Sequence, residues 1–352
     1  MRCRSAPSWA SSAASSSCIS CSGRTPVSLD IAIRRKSLSA RTILLILAAF
    51  TLLVMIGFMT IGANGRWDFV LPFRGAKLAA IVLVAYAVAV STILFQTVTN
   101  NRILTPSIMG FDALYILIQT VLVFVLGANR VSVLDPRWLF LGEVAVMVLF
   151  SGLLYRWLFA GERRSLHLLL LVGVVFGIMF RSITSFLQRI IDPNEFLVLQ
   201  DRMFASFNTA DTSLLAVSAI LIGLASFAGW RILHTLDVLA LGRDTAINLG
   251  IDHRRTVSII LVIVAVLVSV STALVGPVTF FGLLVASLSY QIIPSYRHRL
   301  ILPAAVCLAI LCVVGGQLVL ERVFGFNSAL SIIIEFVGGL VFLTLLLRGA
   351  TR

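Results

Sequence analysis

Charge is what this chain has least of: Asp, Glu, Lys and Arg make up 12% of its 352 residues, against 59% hydrophobic residues. A soluble domain averages roughly 25% charged residues, so one water-exposed globule could not hide this much apolar surface. Cysteine is scarce as well. Cys3, Cys18 and Cys21 lie near the N-terminus, and Cys307 and Cys312 lie in an apolar run. The Cys18–Cys21 pair therefore lacks a second ligand pair for a metal, and the other two read as small packing residues. The four histidines, His167, His234, His253 and His298, fall at predicted helix ends or loops, where a solvated or helix-terminal role is the simplest reading. No G-x-x-x-x-G-K-[ST] loop, H-E-x-x-H pair or G-x-S-x-G elbow occurs, which removes ATP binding by that loop, zinc-peptidase chemistry and a hydrolase elbow. No basic run is interleaved with aromatics on a polar face. The formal charge of +13 is thus assigned to Lys and Arg kept in cytoplasmic loops, with no nucleic-acid partner.

What is present is one long apolar run after another. Stretches such as TILLILAAFTLLVMIGFM (42–59) show none of the alternation a membrane β-barrel needs. The chain reads as an all-α polytopic membrane protein in contact with lipid. Residues 1–40 are different: Ser-rich, without helical period and without a signal-peptide core, they read as a disordered tail or a misplaced start. Residues 41–352 form the membrane domain. About ten transmembrane helices are expected, at 41–62, 71–98, 107–127, 137–159, 166–190, 212–233, 256–275, 277–293, 300–320 and 328–348. The seventh and eighth come from Thr256–Tyr296, which has no charged residue and at ~1.5 Å per residue would be roughly 60 Å long, twice a hydrocarbon core. Gly276 and Pro277 supply the break, since proline removes a backbone donor and clashes with the preceding turn. An even number of spans puts both termini on one side. The distribution of Lys and Arg puts that side in the cytoplasm, with 160–165, 234–255 and 294–299 inside and 63–77, 128–137, 191–211 and 321–327 outside.

Ionisable residues inside spans are functional candidates by default. Asp112, Glu143, Arg181 and Glu335 qualify, with Gln96, Gln119, Gln188 and Gln317 as polar companions. Two readings stay open: structural pairing, or the coupling-ion carboxylates of a secondary transporter. On the outer side, an apolar stripe of Phe196, Leu197, Leu199, Met203, Phe204 and Phe207 predicts a short interfacial helix.

The inner stretch DVLALGRDTAINLGID (Asp237–Asp252) is too short and too charged to span, yet it has helical pattern. Gly242 should stop a first turn, Asp244 should cap the next, and Gly250 should supply a left-handed stop. Leu239, Leu241, Ala246, Ile247 and Leu249 would then form an apolar patch ringed by Arg243, Asp244 and Asp252. Such a patch suits the membrane interface or a groove on a cytoplasmic partner.

Within that stretch, LGRDTAINLG (Leu241–Gly250) resembles the L-G-x-x-x-A-x-x-L-G pattern of the FecCD-type permeases, the membrane subunits of type II ABC importers for iron–siderophore complexes, haem and vitamin B12. NRILTPSIMG (Asn101–Gly110) is similar to N-P-L-A-x-P-x-x-L-G, including Pro106, with Arg102 replacing the first proline. GPVTFFGLLVAS (Gly276–Ser287) is similar to G-x-x-x-F-x-G-L-x-x-P-H, including Pro277 and Gly282, with Ala286 and Ser287 replacing Pro-His. FNSALSIIIEFVGGLVFLTLLL resembles the stretch before the last helix without its L-P-x-G. The resemblance covers residues 41–350 and implies the type II importer permease fold. It further implies a second permease subunit, two ABC ATPase subunits that bind ATP and Mg, and a substrate-binding protein outside, with no cofactor in this chain. By the same resemblance Leu239, Leu241, Gly242, Arg243, Ala246, Leu249 and Gly250 would contact the ATPase. Arg74 and Lys77, with Arg322 nearby, would meet carboxylates of the binding protein. The departures look like the branch that carries ferric catecholate or mixed catecholate–carboxylate siderophores, which commonly pairs two different permeases.

Overall fold

The computed structural model describes residues 39–61, 67–159, 166–205, 207, 212–322 and 330–349; the expectation of a tail over 1–40 falls almost wholly outside them. The described residues form helices and no strand. In order they are α1 (Ala40–Thr60), α2 (Trp67–Thr99), a 3-10 turn (Pro106–Met109), α3 (Phe111–Leu126), α4 (Ala128–Val133), α5 (Pro136–Phe159), α6 (Leu166–Gln188) and α7 (Pro193–Met203). After them come α8 (Thr212–Arg231), α9 (Leu233–Leu239), α10 (Arg243–Asn248), α11 (His253–Val275), α12 (Phe281–Ile292), α13 (His298–Arg322) and α14 (Leu330–Gly349).

Local sequence sets the boundaries. Ser39 caps α1 by accepting from the Thr42 amide, and Asp192 caps α7, where Pro193 takes the first helical position and forfeits no hydrogen bond. The predicted outer helix is α7. Its stripe divides, with Leu199 and Phe207 buried and Leu197 and Phe204 exposed. Each of the ten expected spans meets an apolar helix, and among the described residues seven are long and apolar enough to cross a membrane: α1, α2, α5, α6, α8, α11 and α13. The apolar helices α3 and α12 have 16 and 12 residues, about 24 and 18 Å at 1.5 Å per residue, short of a hydrocarbon core of roughly 30 Å. Both begin late for the same reason: an irregular segment ending at Gly110 or Phe280 replaces their first turns.

Of these seven, α11 and α2 are the most buried and α1 the least. α11 packs on α2, α5 and α8, while α13 packs on α1 and α2. Outward faces of α1, α6 and α8 carry Leu45, Leu53, Ile178, Phe186, Ile220 and Trp230, all more than half exposed. Apolar surface on that scale belongs against lipid or a partner subunit.

Candidate functional site

Three regions hold the residues singled out by the sequence. The first is the helix pair α9–α10. Leu236 and Leu239 are buried under α9, and the helix stops where Gly242 turns to φ 100°. At the far end of α10 the Gly250 amide donates to Ile247 O, and the Ile251 amide donates to Ala246 O. With Gly250 at φ 83°, this is the paired C-terminal closure that only glycine makes without strain. Asp252 then accepts from the Arg255 amide and starts α11 at once, so a link of only four residues, 249–252, separates the two helices. The C-terminal ends of both helices are closed by backbone bonds, Ala240 N to Leu236 O in α9 and Ile251 N to Ala246 O in α10.

Two expectations for this region need correction. Asp244 lies inside the first turn of α10 and Gly242 occupies the cap position, so the carboxylate complements the helix dipole and caps nothing. Ala246 and Leu239 point inward, at 0% and 4% exposure, leaving Leu241, Ile247 and Leu249 at 62%, 48% and 61%. The exposed patch is therefore three aliphatic side chains beside Arg243, and it is smaller than the five-residue patch read from the sequence.

The second region surrounds the two irregular segments. Asn101 Oδ1 accepts from the Ile103 amide at 3.0 Å, starting a turn, and Gln96 Nε2 donates to Arg102 O at 2.8 Å. Pro106 then opens the 3-10 turn and Gly110, at φ 88°, closes it. Gly110 packs near the midpoint of α6: a Cβ added there would sit 3.0 Å from Gly177 Cα, and one added at Gly173 would sit 3.0 Å from Met109 Cα. The backbones meet because Gly173 and Gly177 are four apart, the small-x-x-x-small spacing of close helix contacts. Sequence reading passed over that spacing. In the second segment Gly276, at φ 104°, lies against the backbone of Ala205, Pro277 is buried, and Gly282 leaves no room for a Cβ beside the Thr92 hydroxyl.

Between the two segments lies a cavity of about 20 Å³ lined by Ser91, Thr92, Ser107, Asp112, Ser271 and Thr279 among others, enough for one water. Asp112 lines the cavity together with Ser107 and Thr279, and its Oδ2 is buried without a protein partner. Glu335 accepts from the Thr279 amide at 3.5 Å. Both carboxylates thus sit by the N-terminal ends of interrupted helices, where negative charge is favoured. Glu143 is placed elsewhere: it accepts from Gln119 Nε2 at 2.7 Å, while Gln119 Oε1 accepts from Arg202 of α7 at 2.9 Å. That relay pins α7 over α3 and α5, which favours structural pairing for Glu143 over ion coupling. Arg181 is exposed on α6. Asp112 and Glu335 share a neighbourhood, and Glu143 is not part of it.

The third region is the end of α1. Arg74 donates to Phe58 O at 3.0 Å and Ile61 O at 2.7 Å, and Arg322 donates to Ile61 O at 2.7 Å. These guanidinium groups satisfy carbonyls that a helix C-terminus leaves open. Lys77, expected on the outer surface, is instead 8% exposed and paired at 2.5 Å with Glu321, whose side chain is 10% exposed. Gln317 Nε2 also donates to that carboxylate. Lys77 is thus held inside the bundle, while Arg322 remains exposed. His298, read as a helix-end residue, is indeed the first of α13 but is buried, with 3% exposure.

The petrobactin import system permease protein YclO of Bacillus subtilis is 49% identical over 296 residues, 84% of this chain and 94% of its own length. The petrobactin import system permease protein FatC of Bacillus anthracis is 40% identical over 78% of each chain. A solved inward-facing conformation of a metal-chelate type ABC transporter matches with a TM-score of 0.74 at 20% identity, over 88% of this chain and 100% of the other. At that identity the likeness speaks for the fold alone. The description of the FecCD transport family matches residues 33–348, and the chain belongs to that family.

Proposed function

We propose that this chain is a permease subunit of an ATP-driven importer that moves a ferric siderophore of the petrobactin class across the cytoplasmic membrane by alternating access. The observation that carries this reading is the 49% identity with a petrobactin permease along 94% of that protein. The ordered α9–α10 pair supports it from within the chain, since Leu241, Ile247 and Leu249 offer an exposed apolar knob that would seat in a groove on an ATPase subunit. ATP and Mg would bind to two such ATPases, with no cofactor held in this chain. A second permease would complete the pathway, and a binding protein would deliver the cargo to the outer face near Arg322. Both termini would lie in the cytoplasm, where 234–255 and 294–299 are also assigned by their basic residues.

The test is co-expression with candidate ATPases, a second permease and a binding protein. ATP-dependent uptake of iron-labelled ferric petrobactin is expected. Leu241→Asp and Leu249→Asp alter exposed side chains, so they should leave the melting temperature unchanged and abolish ATPase co-purification and uptake. Uptake that persists without any ATPase, or normal assembly in both variants, would overturn the proposal.

A further inference from the structure

Three polar groups from three helices meet beneath α9. Asp237 Oδ1, on α9, accepts from the His298 amide at 2.8 Å and from His298 Nδ1 at 2.6 Å. On the opposite edge of the ring, His298 Nε2 lies 2.8 Å from Thr97 Oγ1, in the last turn of α2. The Thr97 hydroxyl is itself anchored, donating to Ile93 O at 2.8 Å. His298 and Thr97 are 3% and 7% exposed, so water does not compete for their bonds, while the Asp237 side chain reaches the surface at 39%.

We propose that Asp237, His298 and Thr97 form the link through which movement of the α9–α10 pair reaches the buried helices α2 and α13. This inference rests on the permease reading above. The covalent route into α9 is weak in bending: at Ile232, between α8 and α9, the backbone leaves helical geometry at φ −107°, ψ 6°, so α9 can pivot there. The apolar contact of Leu236 and Leu239 with the bundle resists separation but is not directional. A carboxylate that grips both the first amide of α13 and a ring wedged against α2 is directional, because hydrogen bonds weaken steeply with misalignment. Capping α13 alone would need only the backbone bond. The ring carries the same carboxylate's position on to α2, the helix most extensively packed on α11. A push on Leu241, Ile247 or Leu249 would thus be delivered to the bundle centre through Asp237, four positions before Leu241 in the chain. These are positioning residues; none touches cargo or nucleotide.

The experiment uses the complete importer in proteoliposomes and measures ferric siderophore moved per ATP hydrolysed, with ATPase co-purification and melting temperature recorded alongside. Asp237→Ala and Thr97→Val should keep the ATPases bound and hydrolysing, and should move about tenfold less cargo per ATP, the factor that one lost hydrogen-bonded link of about 1.4 kcal/mol gives. Thr97→Ser keeps the hydroxyl and should restore the wild-type ratio. If Asp237→Ala fails to fold, Thr97→Val, which removes one buried hydroxyl, carries the test. An unchanged ratio in variants that assemble would overturn the inference, as would hydrolysis and transport falling together at constant ratio. Wild-type transport without ATP would overturn the permease reading itself, an outcome visible before any variant is made.

Discussion

A single buried lysine shows how differently two basic residues on neighbouring turns can behave. Arg74 and Lys77 are three apart on α2, yet Arg74 reaches back to the carbonyls ending α1 while Lys77 turns inward to Glu321. The guanidinium has a fork of donors matched to several carbonyls; the ammonium is a compact charge that needs a single strong partner. With both side chains at or below 10% exposure, removing one partner leaves an uncompensated charge. Lys77→Met should therefore destabilise the detergent-purified protein by about 3–5 kcal/mol, and Lys77→Met with Glu321→Gln should recover most of the loss. A thermal melt of the single and double variants checks it. Equal destabilisation by both would mean the pair contributes nothing beyond packing. The sequence could not have paired these residues: 244 positions separate them, and Glu321 sits beside Arg322, a nearer and misleading partner.

At the scale of elements, what was legible is what chain-local chemistry dictates. Apolar runs located the helices, Gly276–Pro277 located a break, and Gly242 and Gly250 located the ends of α10, because a positive φ is a demand a sequence states directly. What was not legible is how far a break intrudes. The sequence reading began the third span at Ser107, but the 3-10 turn Pro106–Met109 docks against the middle of α6 through Gly173 and Gly177, which shortens α3 to 16 residues. Facing also escaped the sequence: Ala246 and Ile247 are adjacent in a six-residue helix, too short for a periodicity to say which one is buried. The docking contact makes its own prediction. Gly110→Ala places a Cβ 3.0 Å from Gly177 Cα at a φ of 88° and should cost about 1–3 kcal/mol. Gly142→Ala, on the exposed face of α5 with nothing within 4 Å of the added carbon, should be neutral or slightly stabilising. Melting curves of the two variants separate a local clash from a general intolerance of glycine replacement.

At the scale of the whole molecule, sidedness is the property on which the importer reading depends. Every proposed contact with an ATPase needs 234–255 and 294–299 on the cytoplasmic side, and every contact with a binding protein needs the opposite ends outside. The Lys and Arg distribution supports that orientation, and seven helices of span length do not by themselves fix it, since α3, α12 and α14 decide whether the number of crossings is even. Two surface positions make the question measurable. Tyr296, between α12 and α13, is 85% exposed, and Val133, at the end of α4, is 86% exposed, so either position accepts a cysteine without disturbing the core. In a background where Cys307, Cys312 and the three N-terminal cysteines are replaced by serine, Val133→Cys should react with a membrane-impermeant maleimide added to intact cells. Tyr296→Cys should react only after the membrane is opened. Because α5, α6, α8, α11 and α12 lie between these positions, opposite sidedness requires an odd number of crossings among them, and α12 must then cross as well as the four longer helices. Labelling of both from outside would make α12 a re-entrant segment and would move the α12–α13 connection, with His298 beside it, to the outer face. That outcome would part His298 from Asp237, which the crossings of α5, α6 and α8 keep on the inner side, and so would contradict the 2.6 Å contact between them.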